Sequence, residues 1–90
     1  MFEEASTKKK NSQRDLEIIA MAQVLSTENG RLFMWRCLQN CSVFESIYTS
    51  DATLHAFKSG KREHGLWLAA ELKEAAPESY FKMLKENDYE

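Results

Sequence analysis

The sequence predicts an all-α fold, a compact bundle of about four helices behind a flexible N-terminal arm. Three observations carry this. Apolar residues recur at spacings of three and four along extended stretches. The segment of strand-like composition, Ser42 to Ser50, has no second strand to pair with. Capping residues, or Pro77, stand just ahead of each periodic stretch. With 90 residues, 43% of them apolar and 29% charged, the chain is one domain and too apolar for wholesale disorder. So short a chain buries a modest share of its surface, which makes oligomerisation an expectation.

Residues 1–12 are polar and lack apolar period, so they read as the arm, with Lys8, Lys9 and Lys10 its concentrated charge. The single helical domain then occupies residues 13–90. Ser12 is a candidate N-cap for a first helix from about Gln13 to Leu25, with Asp15 in its first turn. Leu16, Ile19, Ala20 and Val24 form its apolar stripe. Ile18, Met21 and Leu25 widen that stripe around the circumference, and together with Trp35 they are the expected interface with another subunit.

Ser26 and Thr27 offer a cap for the second helix, with Glu28 in its first turn and Gly30 weakening its start. Leu32, Phe33, Met34, Trp35, Cys37, Leu38 and Cys41 wrap most of this helix, leaving Arg31, Arg36 and Gln39 polar. A helix so apolar lies centrally in a bundle or at an interface. Ser42 to Ser50 is expected to be an ordered loop anchored by Val43, Phe44, Ile47 and Tyr48. Its end, Ser50 or Asp51, caps a long helix reaching about Ala75, with the stripe Leu54, Phe57, Lys61, His64, Gly65, Leu68 and Leu72. Leu66, Trp67, Ala69 and Ala70 spread the apolar surface beyond Gly65, so the second half is expected to be buried more evenly. Pro77 suits the first turn of a last helix from about Pro77 to Glu86, with Tyr80, Phe81 and Leu84 inward. Residues 87–90 are expected to fray.

Net charge is −2, so a nucleic-acid role would have to come from a local patch. Cys37 and Cys41 sit one turn apart on one helix, where a disulfide would constrain almost nothing, and they read as free thiols in a reducing compartment. No stretch approaches the length of a membrane span, and no metal-ligand pattern, phosphate loop or nucleophile motif is present. The start of the chain has no secretory pattern, so the protein is expected to stay where it is made. No catalytic residue, metal or cofactor is expected, and the reading is not an enzyme. The functional candidate is a basic helix face: His55, Lys58 and Arg62 align at spacings of three and four, Lys61 borders them, and Arg31 extends the set. Such a cluster suits an anion, either phosphate or a carboxylate-rich protein surface. A plain solvated face is the competing reading. For Arg62 in particular, a structural bond to the loop around Glu45 is the favoured alternative, because Gly60 and Gly65 flank it and glycines allow close approach of another segment.

The runs NGRLFMWRCLQNCSVFES, TLHAFKSGKREHGLWL and EAAPESYFKML resemble a small tailed-bacteriophage family named after a Bordetella phage gene product. The pattern positions are Gly30, Arg31, Cys41, Val43, Phe44, Phe57, Gly60, Arg62, Gly65 and Leu66. The resemblance covers about residues 24–86, and it implies a head-assembly or packaging gene context without an assigned activity. Two roles follow as expectations. One is a non-enzymatic phage structural or accessory protein, in the host cytoplasm or the virion, that self-associates or docks on a larger assembly. The other is a small regulatory binder that uses the basic face on nucleic acid or blocks a host protein.

Overall fold

The computed structural model describes the backbone of residues 2–89 and the side chains of residues 12–89. Four helices run in the order α1 (Phe2–Leu25), α2 (Glu28–Asn40), α3 (Ala52–Ala75) and α4 (Pro77–Glu86), with no strand among the described residues. The expected arm, apart from Ser12, lies outside the described side chains. Ser12 does not cap the first helix, because the backbone is already helical from Phe2. The segment before it lacks Gly and Pro and carries two Glu and three Lys, which lose little on entering a helix.

Thr27 caps α2, its hydroxyl accepting from the Gly30 amide at 3.0 Å. Gly30 is there for room. A Cβ at this position would stand 1.8 Å from the Val24 carbonyl oxygen, so a side chain would push apart the two helices joined by Ser26 and Thr27. Asp51 caps α3 in the same way, accepting from the Leu54 amide at 2.8 Å.

Helices α2 and α4 end alike. The Val43 amide reaches back to the Leu38 carbonyl and the Ser42 amide to that of Gln39, while Ser42 takes a positive φ of 58°. At the end of α4, Tyr89 bonds to Leu84, Asp88 bonds to Lys85, and Asp88 has φ 57°. Both are Schellman endings with a non-glycine residue in the left-handed position, and each folds an apolar residue back onto the bundle. The chain past α4 therefore does not fray at Asn87, as the composition implied. Tyr89 instead packs against Phe44 (ring centroids 4.5 Å) and Trp35 (5.9 Å), and Phe44 stacks on Trp35 at 4.8 Å.

The core is Leu25, Trp35, Leu38, Val43, Ala69, Leu72, Tyr80 and Met83. Every helix contributes, and α3 contributes from its second half. Gly65 marks where that core begins on α3. A Cβ on it would meet the Cys41 Cβ at 2.4 Å and a Val43 methyl at 2.5 Å, whereas nothing lies within 4 Å of the same position on Gly60. The close approach expected at both glycines therefore exists at Gly65 alone.

Several expectations about facing are corrected. In α1 the apolar stripe Leu16, Ile19 and Val24 points outward, with Leu16 61% exposed and Ile19 51%. Ile18 and Met21 are half-buried and Leu25 is fully buried, so the residues expected to meet another subunit face this chain's own interior. Trp35 is likewise in the core rather than at an interface. The ion pairs from Arg14 to Glu71 and Glu74 of α3 fix this rotation, because Arg14, Ile18, Met21 and Leu25 lie on one face at spacings of four, three and four. Tyr48 is 83% exposed and anchors nothing, and Phe81 is exposed while Met83, two residues on and so on the opposite helix face, is buried. Leu66 and Trp67 are also exposed, so α3 beyond Gly65 is buried along one edge and not evenly.

Candidate partner-binding surface

The sequence grouped five cations into one patch. The structure separates Arg31 from the other four. Arg31 is 6% exposed, and its Nε and Nη2 grip the two carboxylate oxygens of Glu86 at 2.7 and 3.0 Å. Its Nη1 donates to the Leu25 carbonyl at 3.0 Å. One guanidinium thus joins the end of α1, the start of α2 and the last turn of α4, and all of its reach is used inside the fold. The hydrogen bond raises the Arg31 pKa and holds the Glu86 carboxyl below its ordinary value. Arg31 is a structural residue, not a patch member. The first-turn position that made it look like surface is the one that brings it against α4.

His55, Lys58, Lys61 and Arg62 do share the first half of α3, ahead of the core contact at Gly65. His55 is exposed, and the other three are half-buried. The Lys61 ammonium lies over the Phe57 ring at 5.5 Å, which is how its aliphatic stem and charge are both accommodated beside an exposed aromatic. Arg62 makes no bond to the loop around Glu45, and its buried Nε has no hydrogen-bond partner among the described residues. Ile47, Ser59, Arg62, Glu63 and Leu66 line a depression of about 160 Å3 at this place. Ile47 is the residue of the loop that meets α3 here, so part of the loop-anchoring expectation holds even though Arg62 is not its anchor.

Two surface depressions have apolar linings, and each includes one residue that the sequence nominated for an interface, Met21 in the first and Trp35 in the second. Between α1 and α3, Ala20, Met21, Trp67 and Leu68 line a depression of about 330 Å3 together with Arg14, Glu17 and Glu71. Trp67 is 56% exposed and tilted against His64 at 5.4 Å. The outward stripe of α1, Leu16, Ile19 and Val24, continues from Ala20 on the same helix face. On α2, Leu32 and Phe33 border a second depression with Asn29, Trp35, Arg36 and Gln39. Helical periodicity shows the stripes, but it does not say which of two stripes on one helix turns inward.

Arg14 closes the α1–α3 side. It donates to Glu71 through both terminal nitrogens, one contact being 3.1 Å, and to Glu74 at 3.0 Å, which lowers the Glu71 pKa. Tyr80, in the core, has its hydroxyl pKa raised by burial. Cys37 and Cys41 are free and half-buried. Among the described residues no three His, Cys, Asp or Glu side chains converge as a metal site, and no helix is long and apolar enough to cross a membrane.

A protein-family model described as Bbp19-like phage protein matches residues 21–85, which includes every core residue from Leu25 to Met83. The chain belongs to this phage family. The match agrees with the resemblance carried by the GR, CxVF and FxxGxRxxGL runs, and it contains both Arg31 and Arg62. It begins at Met21, so the outward residues Leu16 and Ile19 lie ahead of it. No curated protein and no solved structure matched the chain.

Proposed function

We propose that this phage protein works by protein–protein contact and not by catalysis, as a structural or accessory component that self-associates or docks on a larger assembly in the host cytoplasm or the virion. The observation that carries the reading is the second apolar face of α1. Leu16, Ile19, Ala20 and Val24 stand outward at spacings of three, one and four while Ile18, Met21 and Leu25 of the same helix turn inward. A helix apolar on both faces gains free energy from a second neighbour, at about 25 cal/mol per Å2 of apolar surface covered. Exposed Trp67 beside the α1–α3 depression supplies the large aromatic that such contacts favour. The nucleic-acid alternative is less well supported, since Arg31 is withdrawn from the basic face by Glu86 and Glu63 stands among the remaining cations.

Sedimentation of the full chain from micromolar to millimolar concentration tests this. The expected result is a mass that grows with concentration and reverts to the monomer in the double variant Leu16→Glu, Ile19→Glu with its helical circular dichroism unchanged. A monomer throughout, together with absence of the chain from purified virions by mass spectrometry, defeats the structural reading.

A further inference from the structure

The geometry points to a second docking surface, an exposed stripe along α3 that receives an acidic helix from a partner protein. It goes beyond the self-association reading, because it lies on another helix and fits another kind of partner. Leu54, Phe57, His64 and Trp67 follow at spacings of three, seven and three, so they share one face of α3 over about 20 Å, about four turns of helix. All four are exposed, Phe57 at 63%. Leu68 and Leu72, four and eight residues past His64, continue this face into the core. The stripe is therefore the core face of α3 prolonged past the bundle, where no described residue covers it. Gly60 sits midway along it, and nothing lies within 4 Å of the place a Cβ would take. A glycine inside a helix weakens it, and what it supplies in return is close approach of another backbone. Within the described residues no element makes that approach.

Charge and ring geometry select the occupant. Lys58 and Lys61, three residues apart, border one side of the stripe, and the Lys61 ammonium lies over the Phe57 ring at 5.5 Å. Glu63 does not offset them, because it faces the depression lined by Ile47 on the far side of the helix. A second copy laid on the same face about a two-fold axis would bring the lysines of both chains together, at a like-charge cost. Single-stranded nucleic acid needs open ring faces on which its bases stack. Here the Phe57 ring already carries an ammonium, and Trp67 is tilted against His64 at 5.4 Å. A helix needs an apolar seam to lie on the stripe, a gap at the closest approach, which Gly60 supplies, and carboxylates along the edge that meets Lys58 and Lys61.

Nuclear magnetic resonance titration of the intact chain tests this. The probes are a capped helical peptide with a leucine and alanine seam edged by glutamates, the same peptide edged by glutamines, and oligothymidine. The expected result is saturable movement of the amide signals between Leu54 and Trp67 with the glutamate peptide. The glutamine peptide should bind about tenfold more weakly or worse. Lys58→Gln with Lys61→Gln should fold normally and lose that preference. Gly60→Leu fills the gap with a good helix former, so its melting temperature should not fall while its affinity for the glutamate peptide drops about tenfold or more. No saturable binding, equal binding of the two peptides, tighter binding of oligothymidine, or undiminished binding in Gly60→Leu overturns the proposal. So does movement confined to α1. If the peptide binds and the chain stays monomeric, self-association falls and this surface stands. If the chain self-associates through Leu16 and Ile19 and ignores the peptide, this surface alone falls.

Discussion

Arg31 is buried at the start of α2, and Arg62 is half-buried on the half of α3 that precedes the core. Around Arg31 the fold is closed: a carboxylate from α4 and a carbonyl from α1 saturate the fork, and three helix ends are held at one point. Around Arg62 it is less complete, with a buried Nε that has no partner among the described residues, open space beside the Cα of Gly60, and a depression at the surface. The difference teaches that the same residue type has its hydrogen bonds filled where two other elements arrive at it and keeps one unfilled where only a loop does. Five residues along α3, from Gly60 to Gly65, the molecule crosses from one regime to the other.

Replacing Arg31 with alanine strikes hardest at that contrast. It leaves Glu86 without its partner and removes the bond to the Leu25 carbonyl, so the melting temperature should fall by roughly 10 °C or more. Calorimetry that finds a fall no larger than for Arg62→Ala would erase the distinction. The glycines come next. Gly65→Ala forces a methyl into Cys41 and Val43 and should cost about 1–3 kcal/mol despite alanine's better helix propensity. Gly60→Ala meets nothing, and it should stabilise by up to about 1 kcal/mol. Opposite signs in urea unfolding are the expected readout, and equal signs would contradict the boundary drawn between them.

Acid should weaken the closed corner. The folded Glu86 carboxyl is depressed below its ordinary 4.5, chiefly by the Arg31 hydrogen bond. Its stabilisation is therefore complete above that ordinary value and is lost as pH falls through the lower, folded value. Thermal melts taken downward from pH 5 should lose less stability in Glu86→Gln than in the unaltered chain. A parallel decline in both would show that Glu86 is not responsible. The smallest effect belongs to Arg62→Gln, which should move the melting temperature by no more than a degree or two, since exposed or half-exposed charges contribute roughly 0–1 kcal/mol. A large drop would reinstate Arg62 as a structural residue.

Much of the helical framework is legible in the residues themselves. Thr27 and Asp51 cap where their chemistry says they should, Pro77 opens α4, and the last helix ends at Glu86. What is not legible is rotation. Leu16 and Ile18 are equally good core residues by composition, and only the partner of Arg14, fifty-seven residues away on α3, decides which faces inward. The same holds for Arg31, whose acceptor lies on the final helix. The Schellman endings were hidden because Ser42 and Asp88 occupy left-handed positions that glycine usually advertises. Helical spacing places His55, Lys58, Lys61 and Arg62 together on the first half of α3, but the depression beside Arg62 involves Ile47, which reaches α3 through a loop whose path no periodicity describes.

The two tryptophans occupy opposite circumstances, and this gives the molecule an optical readout of its own. Trp35 is enclosed by Phe44 and Tyr89 in the core, while Trp67 stands in solvent above the α1–α3 depression. Emission from the first reports on the integrity of the corner where α2 meets the chain's end, and emission from the second on whatever settles over α1. With Trp67→Phe and Trp35→Phe single variants, unfolding and association become separately visible as colour changes, with no dye attached.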